Sequence, residues 1–165
     1  MKKLALSLLL PALPLAAGAA DMAAPPEVEN AVLEEISRPY PVGFPNSRNA
    51  AHFTGDSYVY PMASSNGVST ANVTFYHGAH TWWHVHHHTD QILIAGPGVG
   101  YVQIEGEKPI RMKEGDVVVI PEGKKHWHGA AAGRTFQHIS ITRKGRNVST
   151  EWIQPVEKST YDSLK

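Results

Sequence analysis

Two pairs of histidines, each pair separated by one residue, constrain the fold of this chain more than any other feature. His84 and His86 form the first pair, and His126 and His128 form the second. Side chains two residues apart leave the same face of an extended strand, so each pair would present two imidazoles on one side of a strand. Two such strands, brought together, could surround one divalent metal ion with imidazoles. The sequence therefore predicts a metal site within a β structure.

The absence of cysteine limits the chemistry of that site. The 165 residues contain ten histidines and no cysteine. Disulfides, thiolate metal ligands and a cysteine nucleophile are therefore excluded together. Any metal must be bound by nitrogen and oxygen.

The first twenty residues have the pattern of a secretory signal peptide. Lys2 and Lys3 precede an apolar run from residue 4 to residue 17, and small residues follow. The alternative is an uncleaved membrane anchor, which is disfavoured because the run is short for a membrane span. Removal of residues 1–20 would leave 13 basic side chains against 15 acidic ones, a balance that gives no reason to expect nucleic acid as a partner. We expect a secreted, periplasmic protein with no membrane attachment after cleavage.

The rest of the chain is long enough for one hydrophobic core. We expect a leader with a short helix and a loop at 21–52, a β domain at 53–154 and a tail at 155–165. The helix is predicted over 27–36, because Val28, Ala31, Val32 and Ile36 share one side of a helical wheel. A Pro-, Gly- and Asn-rich surface loop is predicted at 40–49.

From Phe53 onward, short β-prone runs alternate with turn residues. Many short strands without intervening helices indicate an all-β sandwich or barrel. The strands are predicted at 57–62, 70–76, 82–86, 91–95, 100–105, 108–113, 116–120, 125–129, 135–143 and 149–154.

Two spaced motifs then resemble a known family. Gly78-x5-His84-x-His86-x4-Gln91-x6-Gly98 resembles the first cupin motif, with Gln in place of the usual Glu. Gly115-x5-Pro121-x-Gly123-x2-His126 resembles the second, except that Ala130 stands where that motif has Asn. Four further stretches resemble small bacterial single-domain cupins: Asn72-Val-Thr-Phe, Gln91-Ile-Leu-Ile, Gly115-Asp-Val-Val and Lys125-His-Trp-His-Gly-Ala. That group includes the manganese-dependent cupin hydroxynitrile lyases and cupins associated with carboxymuconolactone decarboxylases.

The resemblance implies a single-domain jelly-roll β-barrel, usually a homodimer, that holds one divalent metal and acts on a small molecule. His84, His86, Gln91 and His126 correspond to the metal ligands of the family. The resemblance implies Mn, while Fe, Ni, Zn and Cu also suit imidazole ligands. Without a carboxylate, the site would keep the full positive charge of the metal, which favours binding an anion.

Asp90 is a second candidate for the fourth ligand. A carboxylate binds a divalent cation more strongly than an amide does, and strict alternation along a strand would place residues 84, 86, 88 and 90 on one face. Gln91 is favoured because the apolar run after it keeps the family register.

The resemblance also implies catalytic positions. His138 matches the histidine that acts as the base in the lyase-like cupins. A nearby metal cation would lower the pKa of this imidazole, which favours the unprotonated form near neutral pH. Thr81 matches a threonine that contacts the substrate. Thr142 stands where the lyases carry a Gln, which weakens the case for cyanohydrin chemistry. His128 shares a face with His126 and could orient a ligand or a bound substrate.

These residues leave several functions open. The first is a metal-dependent lyase in which His138 moves a proton, as in hydroxynitrile cleavage. The second is a dioxygenase or isomerase, since the same ligands leave open positions on the metal. A third possibility, of another class, is a non-enzymatic periplasmic protein that binds a metal or a small ligand.

Overall fold

The structure is a computed structural model that describes residues 40–164. The predicted signal peptide and the predicted helix at 27–36 lie outside the described residues. The described residues form twelve strands, one 3-10 turn and one short helix. Among them, no helix is long and apolar enough to cross a membrane.

The strands follow the sequence prediction closely between residues 57 and 154. They are β1 (Phe44–Pro45), β2 (Phe53–Thr54), β3 (Ser57–Ser65), β4 (Val68–Phe75), β5 (His80–Thr81), β6 (Trp83–His87), β7 (Gln91–Ile104), β8 (Ile110–Lys113), β9 (Val117–Ile120), β10 (His126–Ala130), β11 (Phe136–Arg143) and β12 (Ser149–Gln154). The short helix, α1 (Lys158–Asp162), lies in the predicted tail.

The strands are antiparallel throughout and form two sheets that share β7. The first sheet has the order β1-β3-β4-β11-β7-β9. In the second, β8 and β10 pair with β7, β6 pairs with β10, and β12 pairs with β6. The far end of β10 pairs with β5, which pairs with β2. The curled sheet is the expected all-β jelly-roll barrel.

One strand differs from the prediction in a way that shapes the barrel. The sequence predicts two strands, at 91–95 and 100–105, with a turn at Gly96-Pro97-Gly98 between them, but β7 runs through these residues without interruption. The first half of β7 pairs with β9 and β11, and the second half pairs with β8 and β10. Gly98 has a φ of +95°, and a Cβ there would lie 2.1 Å from the Thr135 carbonyl oxygen. The three residues are therefore a bend that carries one strand from the first sheet to the second.

The core lies between the two sheets. Inward-facing residues of both sheets form its main cluster, which includes Val73, Phe75, Leu93, Ala95, Val102, Met112, Ile120 and Phe136. A second cluster lies under α1, where the Tyr161 ring stacks on His80 with 4.0 Å between ring centroids. The predicted loop at 40–49 contains β1, which pairs with β3.

Gly100 of β7 lies tightly against the Phe136 ring of β11 and the backbone of β10. A Cβ at this position would lie 2.2 Å from Cδ1 of Phe136 and 2.6 Å from the Gly129 carbonyl oxygen. Because Phe136 is fully buried, neither neighbour has room to move. We expect Gly100→Ala to lower the free energy of unfolding by about 1–3 kcal/mol, measured by urea denaturation.

Gly145→Ala is the matched control, because its Cβ would meet only Val148, at an ordinary 3.4 Å, and its φ is unremarkable. This variant should unfold at nearly the wild-type urea concentration. Equal stability of the two variants would contradict the packing at Gly100.

Candidate functional site

The centre of the site is a histidine pair formed across two strands. His84 of β6 lies opposite His126 of β10 in the antiparallel register. Both side chains point into the barrel and are buried, and their ring centroids lie 4.1 Å apart. His86 and His128 extend the group in opposite directions, because each lies two residues from one member of the pair. Side-chain alternation along β6 and β10, together with the register between these two strands, therefore places all four imidazoles close together.

Backbone carbonyls orient the central pair. Nδ1 of His84 lies 2.9 Å from the Trp82 carbonyl oxygen, and Nδ1 of His126 lies 2.8 Å from that of Lys124. A carbonyl oxygen only accepts hydrogen bonds, so Nδ1 is the protonated nitrogen in both rings. Each Nε2 therefore presents a lone pair toward the interior, as in histidines that bind metals.

Gln91 brings an oxygen to the same place. Its Nε2 donates to the Ser140 hydroxyl at 2.9 Å, which directs Oε1 toward Nε2 of His126, also at 2.9 Å. Both of these facing atoms are acceptors when His126 is neutral. Two converging lone pairs repel each other unless a cation lies between or beside them, so this arrangement suits a metal ion.

His86 offers the clearest unused ligand atom. Its Nδ1 lies 3.0 Å from the Thr150 hydroxyl, while its Nε2 is buried and has no hydrogen-bond partner. A buried polar atom without a partner is costly, and metal coordination would remove that cost.

His128 forms a second, overlapping group. The available ligand atoms of His84, His126 and His128 lie within 4.8 Å of one another. However, Nδ1 of His128 also lies 3.0 Å from Nε2 of His138. The described residues thus contain two donor sets that share His84 and His126, one completed by His86 and Gln91 and the other by His128.

Burial keeps these imidazoles neutral, as metal ligands must be. Loss of hydration lowers the pKa of His126 to about 4 and that of His138 to about 3. Burial also lowers the pKa of His84 and of His128 well below the usual value, and neighbouring histidines lower both further. A set of neutral nitrogen and oxygen donors fits a divalent transition metal. The barrel and this cluster of three histidines support a metal centre.

The structure separates Gln91 from Asp90. Asp90 is exposed, and its carboxylate accepts a hydrogen bond from the backbone N–H of Glu122 at 2.8 Å, outside the imidazole cluster. His87 and His88 lie at the rim beside Glu151 and Glu122. Gln91 is thus the one of the two candidates that lies against the histidines.

A cavity of about 180 Å³ opens beside the cluster. His84, His86, Gln91 and His128 line one side of it. The apolar wall consists of Phe53, Val59, Ala71, Val73 and Trp152. An engineered cavity of about 150 Å³ accommodates benzene, so this space fits a small organic molecule with one ring.

The predicted catalytic residues occupy different positions relative to this cavity. Thr81 lines it, and its hydroxyl accepts a hydrogen bond from the His128 backbone N–H at 3.1 Å. His138 is fully buried behind His128 and does not line the cavity, and neither does Thr142.

Ser140 and Thr150, which the sequence did not mark as site residues, both line the cavity. Ser140 positions Gln91, and Thr150 positions His86. Ser140 could have been identified from the sequence, because it lies two residues after His138 on β11 and so shares its face. No local sequence pattern indicates Thr150.

Metal analysis of variants distinguishes the two donor sets. His84→Ala should lose the metal in either case, because His84 belongs to both sets. We expect His86→Ala to lower metal affinity strongly and His128→Ala to retain most of it, since of these two histidines His86 is the one with a buried ring nitrogen that has no partner. The measurement is elemental analysis after loading with Mn and dialysis. His87→Ala, at the exposed rim, is the control, and full metal retention in His84→Ala would contradict the site.

Acid should destabilise the metal-free protein. The unfolded chain protonates its histidines below a pH of about 6.5, whereas the folded pKa of His126 is about 4 and that of His138 about 3. Stability is therefore fully present above pH ~6.5 and decreases as the pH falls below it, by up to about 1.4 kcal/mol per pH unit for each buried histidine.

Urea denaturation in chelator between pH 7 and pH 5 measures this slope while most carboxylates remain ionised. His138→Phe should flatten the slope, and His87→Ala should leave it unchanged. A stability that is constant across this range would contradict the burial of neutral imidazoles.

Comparison with known proteins identifies the family of this chain. The cupin domain model matches residues 71–141. The chain is 36% identical over 112 residues to an (R)-mandelonitrile lyase from Granulicella tundricola, covering 66% of this chain and 85% of that protein.

Solved structures show the same relationship. A cupin-like protein from Thermotoga maritima superposes with a TM-score of 0.70 at 32% identity, covering 76% of this chain and 96% of that one. A DMSP lyase from Ruegeria pomeroyi superposes with a TM-score of 0.52 at 21% identity, covering 65% of this chain and 54% of that one, and shows a shared fold alone. With its two motifs, its barrel and its cluster of imidazoles, the chain belongs to the cupin family.

Proposed function

We propose that this protein is a metal-dependent lyase that cleaves a carbon–carbon bond beside a hydroxyl group in a small organic molecule, as in an α-hydroxynitrile. The observation that carries the proposal is a pair of neutral imidazoles, His128 and His138, beside a small cavity that the candidate metal ligands also line. The relative named (R)-mandelonitrile lyase supports this choice of substrate class.

The imidazole pair would act as the base. His128 lines the cavity and would accept the hydroxyl proton, and His138 would stabilise the resulting charge through the 3.0 Å contact between Nε2 of His138 and Nδ1 of His128. Burial lowers the pKa of both rings, which keeps them unprotonated near neutral pH. The predicted base, His138, would thus act through His128.

The reaction is balanced without an oxidant. When the hydroxyl proton leaves, the oxygen electron pair forms a carbonyl bond, and the electrons of the carbon–carbon bond leave with the nitrile carbon. The imidazole pair then returns the proton to the departing cyanide. A bound divalent metal would supply positive charge that stabilises a substrate oxygen.

Two hydroxyls are placed to orient the substrate. The Thr81 oxygen already accepts a hydrogen bond from His128 N–H, so its own hydrogen is free to donate into the cavity. The Ser140 oxygen accepts from Gln91, which leaves its hydrogen free in the same way. Both groups could hold a substrate oxygen while Phe53 and Trp152 contact an apolar substituent.

The test is release of aldehyde from each enantiomer of mandelonitrile by the Mn-loaded protein. We expect His138→Ala and His128→Ala to lower kcat about 10²–10⁴-fold, the usual contribution of a positioned acid or base, with metal content retained in His138→Ala. His87→Ala should keep wild-type turnover.

A wild-type protein that holds metal but releases no aldehyde would overturn the proposal. Oxygen consumption with other small substrates would then favour the dioxygenase alternative. Binding of metal without turnover of any kind would favour a periplasmic binding protein. Secretion, the identity of Mn and the homodimer are part of the same proposal, and fractionation, elemental analysis and sedimentation respectively test them.

A further inference from the structure

The outer face of the first sheet carries a block of apolar side chains. On β7, Ile92 and Ile94 point away from the core, because Leu93 between them is fully buried on the inner side. Ile94 lies between Val117 of β9 and Ile139 of β11 in the register, and Ile92 lies between Val119 and Ile141. These six residues form two parallel rows across three strands, here called the outer patch: Ile92, Ile94, Val117, Val119, Ile139 and Ile141.

The outer patch is open to solvent at one side. Val117 is 58% exposed and Val119 is 53% exposed, and the four isoleucines are half-buried. Adjacent β-branched side chains on an outer sheet face are unfavourable in water, and such a patch usually marks a surface that another segment covers.

The described N-terminal residues run across this same face toward the patch. The Val42 carbonyl oxygen accepts a hydrogen bond from Thr74 of β4, and the Pro41 carbonyl oxygen accepts one from Asn72 of β4 at 2.8 Å. Tyr40 lies one strand further on, with its carbonyl oxygen 3.4 Å from Nε2 of Gln137 on β11.

The Tyr40 ring has already reached β7. A Cβ on Gly96 would lie 3.4 Å from Cδ2 of the ring, so the ring covers β7 two residues from Ile94. Followed backward from Val42, the chain therefore crosses β4, β11 and β7 in order. The next strand in that direction is β9, which carries the most exposed part of the patch.

The preceding sequence matches the patch in length and pattern. Residues 37–39 can span up to about 10 Å, more than the ~6.6 Å along a strand from Gly96 to Ile94. The helix predicted over 27–36 would be about 15 Å long, enough to cross three strands spaced ~4.8 Å apart. Its apolar side carries Val28, Ala31, Val32 and Ile36.

We propose that residues 27–36 dock as an amphipathic helix on the outer patch of their own chain. The helix buries its apolar side on the two rows of the patch, and Ser37 to Pro39 connect it to Tyr40, whose ring lies over β7. The docked segment lies on the outside of the barrel, away from the metal ligands, and it is independent of the reaction proposed above.

Disulfide trapping tests the contact, and the absence of native cysteine makes each engineered pair unambiguous. In the full chain, Val32→Cys with Val119→Cys should form an intramolecular disulfide rapidly under mild oxidation. The matched control is Asn30→Cys with Val119→Cys, because Asn30 lies on the opposite side of the helical wheel. Non-reducing gels and peptide mass spectrometry give the yield and distinguish bonds within a chain from bonds between chains.

A yield no higher than that of the control pair would overturn the proposal. Bonds formed only between chains would also overturn it, because they would show that a second copy covers the patch.

Limited proteolysis provides an independent measurement. A Glu-specific protease can cut after the glutamates of residues 27–35. We expect Val117→Asp with Val119→Asp to raise the cleavage rate about tenfold, equivalent to about 1.4 kcal/mol of docking free energy. Ile110→Asp, at another exposed apolar position on β8, is the control and should leave the rate unchanged. Equal cleavage of wild type and the double variant would contradict docking on this face.

Discussion

The burial of neutral imidazoles whose lone pairs converge is the constraint on which the site depends. His84 and His126 can present Nε2 to one point only because β6 and β10 pair in a single register and backbone carbonyls fix Nδ1. A slip of one residue in either strand would turn these rings outward. The arrangement leaves Nε2 of His86 without a partner and brings two acceptors together at His126 and Gln91. A bound cation would give the His86 nitrogen a partner and would remove the repulsion between the two acceptors. The strand register that forms the barrel is therefore also the register that forms the metal site.

Because side chains alternate along each strand, the same strand places site residues inside the barrel and apolar residues on its outer face. On β11, His138 and Ser140 face inward, toward His128 and Gln91, while Ile139 and Ile141 face outward. On β7, Gln91 faces inward and Ile92 faces outward. Beyond the bend at Gly96-Pro97-Gly98, the same strand continues into the second sheet. One strand therefore supplies a candidate ligand, part of the core and part of the outer patch.

The fold was largely predictable because its signals are local. Alternating polarity and turn residues predicted ten strand segments between residues 57 and 154, two of which are parts of β7, and the two motifs identified the barrel. The continuity of β7 was not predictable, because Gly96-Pro97-Gly98 has the composition of a turn and becomes a bend only through pairing with distant strands. The contacts of Thr150 with His86, and of His128 with both His84 and His138, also depend on strand pairing that no local pattern reveals. The sequence alone left Asp90 and Gln91 open as ligands, and the geometry places Gln91 at the histidines.

The most direct test of this account is an anomalous-scattering map from crystals of the Mn-loaded protein. We expect one strong peak inside the barrel, within bonding distance of Nε2 of His84 and Nε2 of His126, with His86 and Gln91 completing the donor set. A peak bonded to His128 in place of His86 would assign the metal to the other donor set. The absence of any peak inside the barrel, or a peak only at the exposed His87 and Glu151, would contradict the central claim.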